Sequence, residues 1–85
     1  MSGYVDNHPL SRDLPEYRND IHQLKMTDNH FHKRMIAYET LDKEIVRAEQ
    51  GLENMPDQEL DGMKVRRVRM KDELTEMLRK ANAKI

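Results

Sequence analysis

The chain has 85 residues, which is enough for one small domain. Charged residues make up 36% of it but nearly cancel to a net charge of −1, and only 36% is hydrophobic. These values exclude a large enclosed active site, and the absence of cysteine excludes disulfide scaffolds and thiolate chemistry. Residues 1–10 lack the features of a secretory signal, and no apolar run is long enough to span a bilayer. We therefore expect a cytoplasmic protein with no membrane partner.

The N-terminal part is predicted to be a tail followed by a short helix. Residues 1–12 are mostly polar, and we expect them to be mobile. A first helix is predicted over about residues 13–26, because Asp13 can cap it and Pro15 suits its first turn. Residues 27–29 are again capping residues. They indicate either a turn between two helices or a kink within one, and the sequence leaves both open.

Two long helices follow, over about residues 28–50 and 58–81, separated by a segment that contains Pro56. The last residues, 82–85, are expected to fray. Apolar residues recur three or four positions apart along both helices, which is the spacing of a buried helical face. The predicted helix–helix interface consists of Phe31, Met35, Tyr38, Leu41, Ile45, Leu60, Met63, Met70, Leu74, Met77 and Leu78.

The connection between the long helices is short, so they should lie antiparallel. The predicted fold is all-α: a coiled-coil-like helical hairpin with a short N-terminal helix, forming a single domain over residues 13–81. Two helices bury too little apolar surface for a stable domain of this length without further support. We therefore expect a homo-oligomer, with a dimer of two hairpins forming a four-helix bundle as the simplest arrangement. Val65 and Val68 lie outside the predicted interface and are candidates for the contact between copies.

One charged pair falls inside the apolar faces. At 100° per residue, Asp42 lies in the middle of the apolar arc of its helix, and Arg67 lies within the arc of the other. Antiparallel pairing brings these two positions opposite each other. The pair is predicted to fix the register of the hairpin, as buried polar residues do in coiled coils. The alternative is an arginine that extends to water beside a partly exposed carboxylate.

Residues 64–71 form a basic run with five positive charges and no acid. Its candidate contacts to nucleic acid or phosphate are Lys64, Arg66, Arg69 and Lys71. These charges are distributed around the helix, acidic residues follow at once, and no aromatic residue is interleaved for base stacking. A solvated, ion-paired surface is the simpler interpretation, and a nucleic-acid partner is the less favoured alternative.

No other residues suggest chemistry. His22, His30 and His32 lie near one bend, but their spacing is not the i, i+4 pattern of zinc-binding helices. The seven methionines are typical of core filling, or of an adaptable surface for partner helices. We expect no metal, no cofactor and no catalysis.

Several segments resemble the YdcH-like family of small bacterial proteins of unknown function. The resemblance covers about residues 16–80, and its longest segments are Leu-Asp-Lys-Glu-Ile-Val-Arg-Ala-Glu at 41–49 and Met-Lys-Asp-Glu-Leu at 70–74. It also includes residues 24–25, 30–31, 60, 63–64, 67–68 and 77–78; Met63, Val68 and Met70 stand where the family usually has leucine. The resemblance implies a helical hairpin and no established activity, cofactor or substrate.

The functional hypothesis is a non-catalytic protein-interaction module that associates with itself through its apolar faces. The alternative is a weak RNA- or phosphate-binding protein that uses the basic run. Salt separates the two, because phosphate binding weakens steeply with added salt and apolar helix association does not.

Overall fold

The computed structural model describes residues 9–51 and 54–83. Every regular element in these residues is helical, which confirms the predicted all-α class. The elements are a short helix α1 (Pro9–Asp13), a 3-10 turn (Pro15–Tyr17), α2 (Arg18–Thr27), α3 (Asn29–Glu49) and α4 (Asp57–Asn82). The two long helices begin and end within one residue of their predicted bounds.

Three ion pairs between α3 and α4 show that the long helices run antiparallel. Arg34 contacts Glu73, Asp42 contacts Arg67, and Glu49 contacts Lys64, each at 2.8 Å. Residues later in α3 thus contact residues earlier in α4, so the predicted antiparallel hairpin is confirmed. The two outer pairs are exposed and contribute little to stability.

A turn separates α2 from α3, which decides between the two alternatives left open for residues 27–29. Asp28 has an extended backbone, with φ −125° and ψ 102°, and its side chain accepts a hydrogen bond from the Phe31 backbone N–H at 3.1 Å. This bond satisfies one of the unpaired donors at the start of a helix. After α3, the chain turns at Gly51 with a φ of +77°, a conformation that glycine adopts without strain.

The N-terminal predictions require correction. The last part of the predicted mobile tail, 9–12, lies in α1, and Leu10 is fully buried; residues 1–8 lie outside the described residues. The helix predicted over 13–26 starts instead as a 3-10 turn and becomes α-helical at Arg18. Asp13 ends α1 and does not cap this helix, because its carboxylate bonds to Tyr38. Of the C-terminal residues expected to fray, Asn82 still belongs to α4, and residues 84–85 lie outside the described residues.

The core lies at the open end of the hairpin, where the N-terminal elements pack against it. Its buried residues come from all the α-helices and the segment between α1 and the 3-10 turn: Leu10, Leu14, Ile21, Phe31, Met35, Tyr38, Leu74 and Leu78. Asn82 at the end of α4 also donates a hydrogen bond to Asp20 of α2 at 3.0 Å. Residues 9–27 therefore act as a third layer that covers one end of an otherwise two-helix structure.

Candidate functional site

The charged pair at the centre of the hairpin joins a buried carboxylate to a partly buried guanidinium. Asp42 is only 7% exposed, and Arg67 Nη1 donates to its Oδ1 at 2.8 Å. A second arginine, Arg12 of α1, lies with Nη2 3.7 Å from the other carboxylate oxygen. The structure thus brings together the two residues that the helical wheel placed opposite each other. Their role in fixing the register stays a prediction.

A second polar contact joins α1 to α3. The Tyr38 hydroxyl, in a residue only 2% exposed, donates a hydrogen bond to Asp13 Oδ2 at 2.7 Å. Burial, followed by this hydrogen bond and the nearby charges of Asp13 and Asp42, raises the pKa of the Tyr38 hydroxyl well above its ordinary value. Tyr38 is therefore a neutral donor throughout the physiological pH range.

The raised pKa of Tyr38 predicts a loss of stability in alkali. A free tyrosine ionises near pH 10, so below about pH 10 the stabilisation from the protonated hydroxyl is fully present. Above that pH the unfolded chain releases the proton while the folded chain retains it, and the free energy of unfolding falls. Urea unfolding from about pH 8 to about pH 11 should show a steeper decline for the unmodified chain than for Tyr38→Phe. Equal slopes would show that this hydroxyl does not titrate differently on folding.

These contacts line an open cleft between α1, α3 and α4 with a volume of about 280 Å³. The charged and polar residues of the cleft are Arg12, Asp13, Tyr38, Asp42, Arg67 and Lys71. Val68 forms an apolar part of its wall. Packing of α1 across the hairpin forms one wall of the cleft and supplies Arg12 and Asp13.

The basic run does not converge on one surface. Lys64 pairs with Glu49 at 2.8 Å, and this hydrogen bond and charge lower the pKa of the Glu49 carboxyl. Arg66 and Arg69 are exposed, with no ion pair among the described residues, whereas Lys71 lines the cleft. The four candidate phosphate contacts are therefore divided between an ion pair, open solvent and the cleft.

The predicted helix–helix interface is buried unevenly. The positions on α3 and the last two leucines of α4 are buried: Phe31, Met35, Tyr38, Leu41, Ile45, Leu74 and Leu78. Met70 and Met77 are partly buried against the core cluster. Leu60 and Met63, in the first part of α4, are only partly buried and lie outside that cluster.

No group of three or more histidine, aspartate or glutamate side chains is positioned to hold a metal ion in residues 9–51 and 54–83. No helix in that part of the chain is long and apolar enough to cross a membrane.

Sequence reasoning missed the contribution of α1 to the cleft, namely Arg12 and the carboxylate of Asp13. A local signal was present, because Leu10 and Leu14 are four residues apart and follow Pro9, a residue suited to the start of a helix. A helix of five residues is too short to show a clear periodic pattern of apolar residues.

Comparison with known protein families places the hairpin in a family of unknown function. A family described as "Protein of unknown function (DUF465)" matches residues 31–78, more than half of the chain. The matched segment begins at a core residue of α3 and ends at a core residue of α4, so it corresponds to the hairpin. No curated protein and no solved structure matches the chain.

Proposed function

This chain belongs to the DUF465 family of proteins of unknown function, and we propose that it is a non-catalytic helical interaction module that associates with a second copy of itself. The observation that carries the proposal is a set of apolar side chains left accessible on the first half of α4: Leu60, Met63, Val65 and Val68. Val65 is 52% and Val68 58% exposed, although both are large hydrophobic residues. We call these four residues the α4 apolar segment.

The α4 apolar segment lies where the hairpin has the least cover. Leu10, Leu14 and Ile21 cluster with Leu74 and Leu78, at the other half of α4. Among the described residues, no N-terminal residue of the core cluster covers the half of α4 next to the α3–α4 connection. A second hairpin would supply two more helices there and would bury apolar surface. Each Å² of apolar surface buried stabilises an assembly by about 25 cal/mol.

Narrower assignments belong to the same proposal. The motifs at 41–49 and 70–74 favour a YdcH-like protein of bacterial origin. Action in the cytoplasm is also part of the proposal, and it rests on the expectation drawn from a chain without cysteine. The absence of catalysis is likewise part of the proposal, since a hairpin of this size has little room to enclose a substrate.

Sedimentation velocity over about 10 μM to about 1 mM tests the self-association. We expect the weight-average sedimentation coefficient of the unmodified chain to rise with concentration. The variant Val65→Lys/Val68→Lys should remain monomeric, because two charges replace the apolar side chains at the contact. Ile36→Lys is the control for a lysine placed on an exposed apolar residue elsewhere: Ile36 is 48% exposed but lies on α3, so its variant should associate like the unmodified chain.

A chain that stays monomeric at every concentration would contradict self-association. The competing RNA- or phosphate-binding hypothesis has its own signature, which is retention of nucleic acid that falls steeply with salt. If Arg66→Ala/Arg69→Ala removed that retention while Val65→Lys/Val68→Lys did not, the basic run and not the α4 apolar segment would be the interaction surface.

A further inference from the structure

The cleft between α1, α3 and α4 contains more positive than negative charge. Three cationic side chains, Arg12, Arg67 and Lys71, line it together with two carboxylates, Asp13 and Asp42. Both carboxylates already have partners: Asp42 contacts the two arginines, and Asp13 accepts from Tyr38 and from Arg12 at 3.5 Å. The surplus positive charge in the cleft is therefore not balanced by the residues that form it.

Lys71 is the cation without a counter-ion in this arrangement. It is partly buried and lines the cleft, and no ion pair is found for it in the described part of the chain. Lys71 lies four residues after Arg67, so the two side chains are on the same face of α4. An ammonium group that lines the same cleft as two guanidinium groups adds to the positive potential there, which a bound anion would lower.

The remaining surface of the cleft suits a small oxyanion. Arg67 uses one terminal nitrogen on Asp42, and a guanidinium carries five N–H donors, so further donors are present for a ligand. Arg12 is more than half exposed at its side chain, which leaves it accessible from solvent. The volume of about 280 Å³ accommodates several non-hydrogen atoms, and Val68 offers an apolar wall for an organic substituent.

We propose that this cleft binds a small molecule carrying a carboxylate or phosphate group, with Lys71 and Arg12 as its charge partners and Arg67 as a further hydrogen-bond donor. The site uses residues from α1 and α4 together and is separate from the α4 apolar segment except at Val68. It differs from the linear basic run, because Arg66 and Arg69 do not line it. A site this open should bind in the millimolar range.

An NMR titration of the full chain tests the proposal. Backbone amide spectra would be recorded with increasing sodium phosphate, and separately with sodium acetate, at an ionic strength held constant with sodium chloride. We expect saturable shifts at the amides around Val68 and Lys71 for at least one of the two anions. Whether phosphate or acetate binds more tightly identifies which oxyanion the cleft prefers.

Two charge-removing variants of the same helix separate the cleft from general electrostatic attraction. Lys71→Gln should weaken anion binding about tenfold, the equivalent of about 1.4 kcal/mol. Arg69→Gln also removes one charge from the basic run but lies outside the cleft, and should leave binding within about twofold. Amide spectra in the absence of anion would show whether each variant keeps the native fold.

Three results would overturn the proposal. The first is that neither phosphate nor acetate gives saturable shifts in the unmodified chain. The second is equal weakening by Arg69→Gln and Lys71→Gln, which would assign binding to the net charge of α4. The third is that Lys71→Gln leaves binding unchanged. Each result is independent of self-association, because the titration monitors residues of the cleft and can be run at a concentration where the chain is monomeric.

Discussion

Replacing Leu10 by alanine should lower the free energy of unfolding by about 3 kcal/mol. Leu10 is fully buried in the core cluster, where α1 packs against the open end of the hairpin. The substitution removes apolar contacts and leaves a cavity that a five-residue helix cannot fill by shifting without losing its other contacts. Urea unfolding followed by circular dichroism at 222 nm measures the change.

The matched control for Leu10 is Met26→Ala. Met26 is 65% exposed on α2, so removal of its side chain should change the free energy of unfolding by no more than about 0.5 kcal/mol. Equal stability of the two variants would show that α1 is not docked on the hairpin in solution, and the cleft would then lose Arg12 and Asp13 from its lining.

Arg67→Leu is expected to destabilise the chain by about 2 kcal/mol. Loss of the guanidinium leaves the carboxylate of Asp42, only 7% exposed, without its 2.8 Å partner. The effect should be smaller than for a fully buried pair, because the Arg67 side chain is 28% exposed and Arg12 remains at 3.7 Å from the carboxylate. Chemical denaturation of the variant measures this cost.

The double variant Asp42→Leu/Arg67→Leu tests what the pair does for the fold. With both charges replaced, no charge is left buried without a partner, and most of the lost stability should return. If the pair specifies register, the double variant should be stable but show more than one set of amide resonances along α3 and α4. A single native-like spectrum would instead show that the apolar faces set the register by themselves.

The two long helices could be predicted because their signal is local and repeated. Along α3, buried residues recur from Phe31 to Ile45 at helical spacing, and a capping aspartate precedes them. The same periodicity placed Asp42 and Arg67 inside opposing faces, and the structure has them in contact. The centre of the hairpin thus follows from the order of residue types together with the antiparallel geometry of a short connection.

The N-terminal elements could not be predicted in the same way. Five helical residues are not stable alone in water, so α1 depends on the contacts that Leu10 makes with residues distant in sequence. The sequence predicts Asp13 as a helix cap because aspartate commonly caps helices, but its carboxylate instead accepts a hydrogen bond from the buried hydroxyl of Tyr38. A hydrogen bond between residues this far apart in sequence leaves no local pattern from which it could be predicted.

The helical class, the two long helices and their antiparallel pairing follow from the order of residues alone, because periodicity and capping act over a few residues. Three features become visible only in the folded chain: where residues 9–27 pack, which cations line the cleft, and which apolar residues of α4 stay exposed. These features depend on contacts between helices that are distant in sequence. The short helix α1 covers one end of the hairpin and places Arg12 beside Asp42. It leaves Val65 and Val68 accessible at the other half of α4.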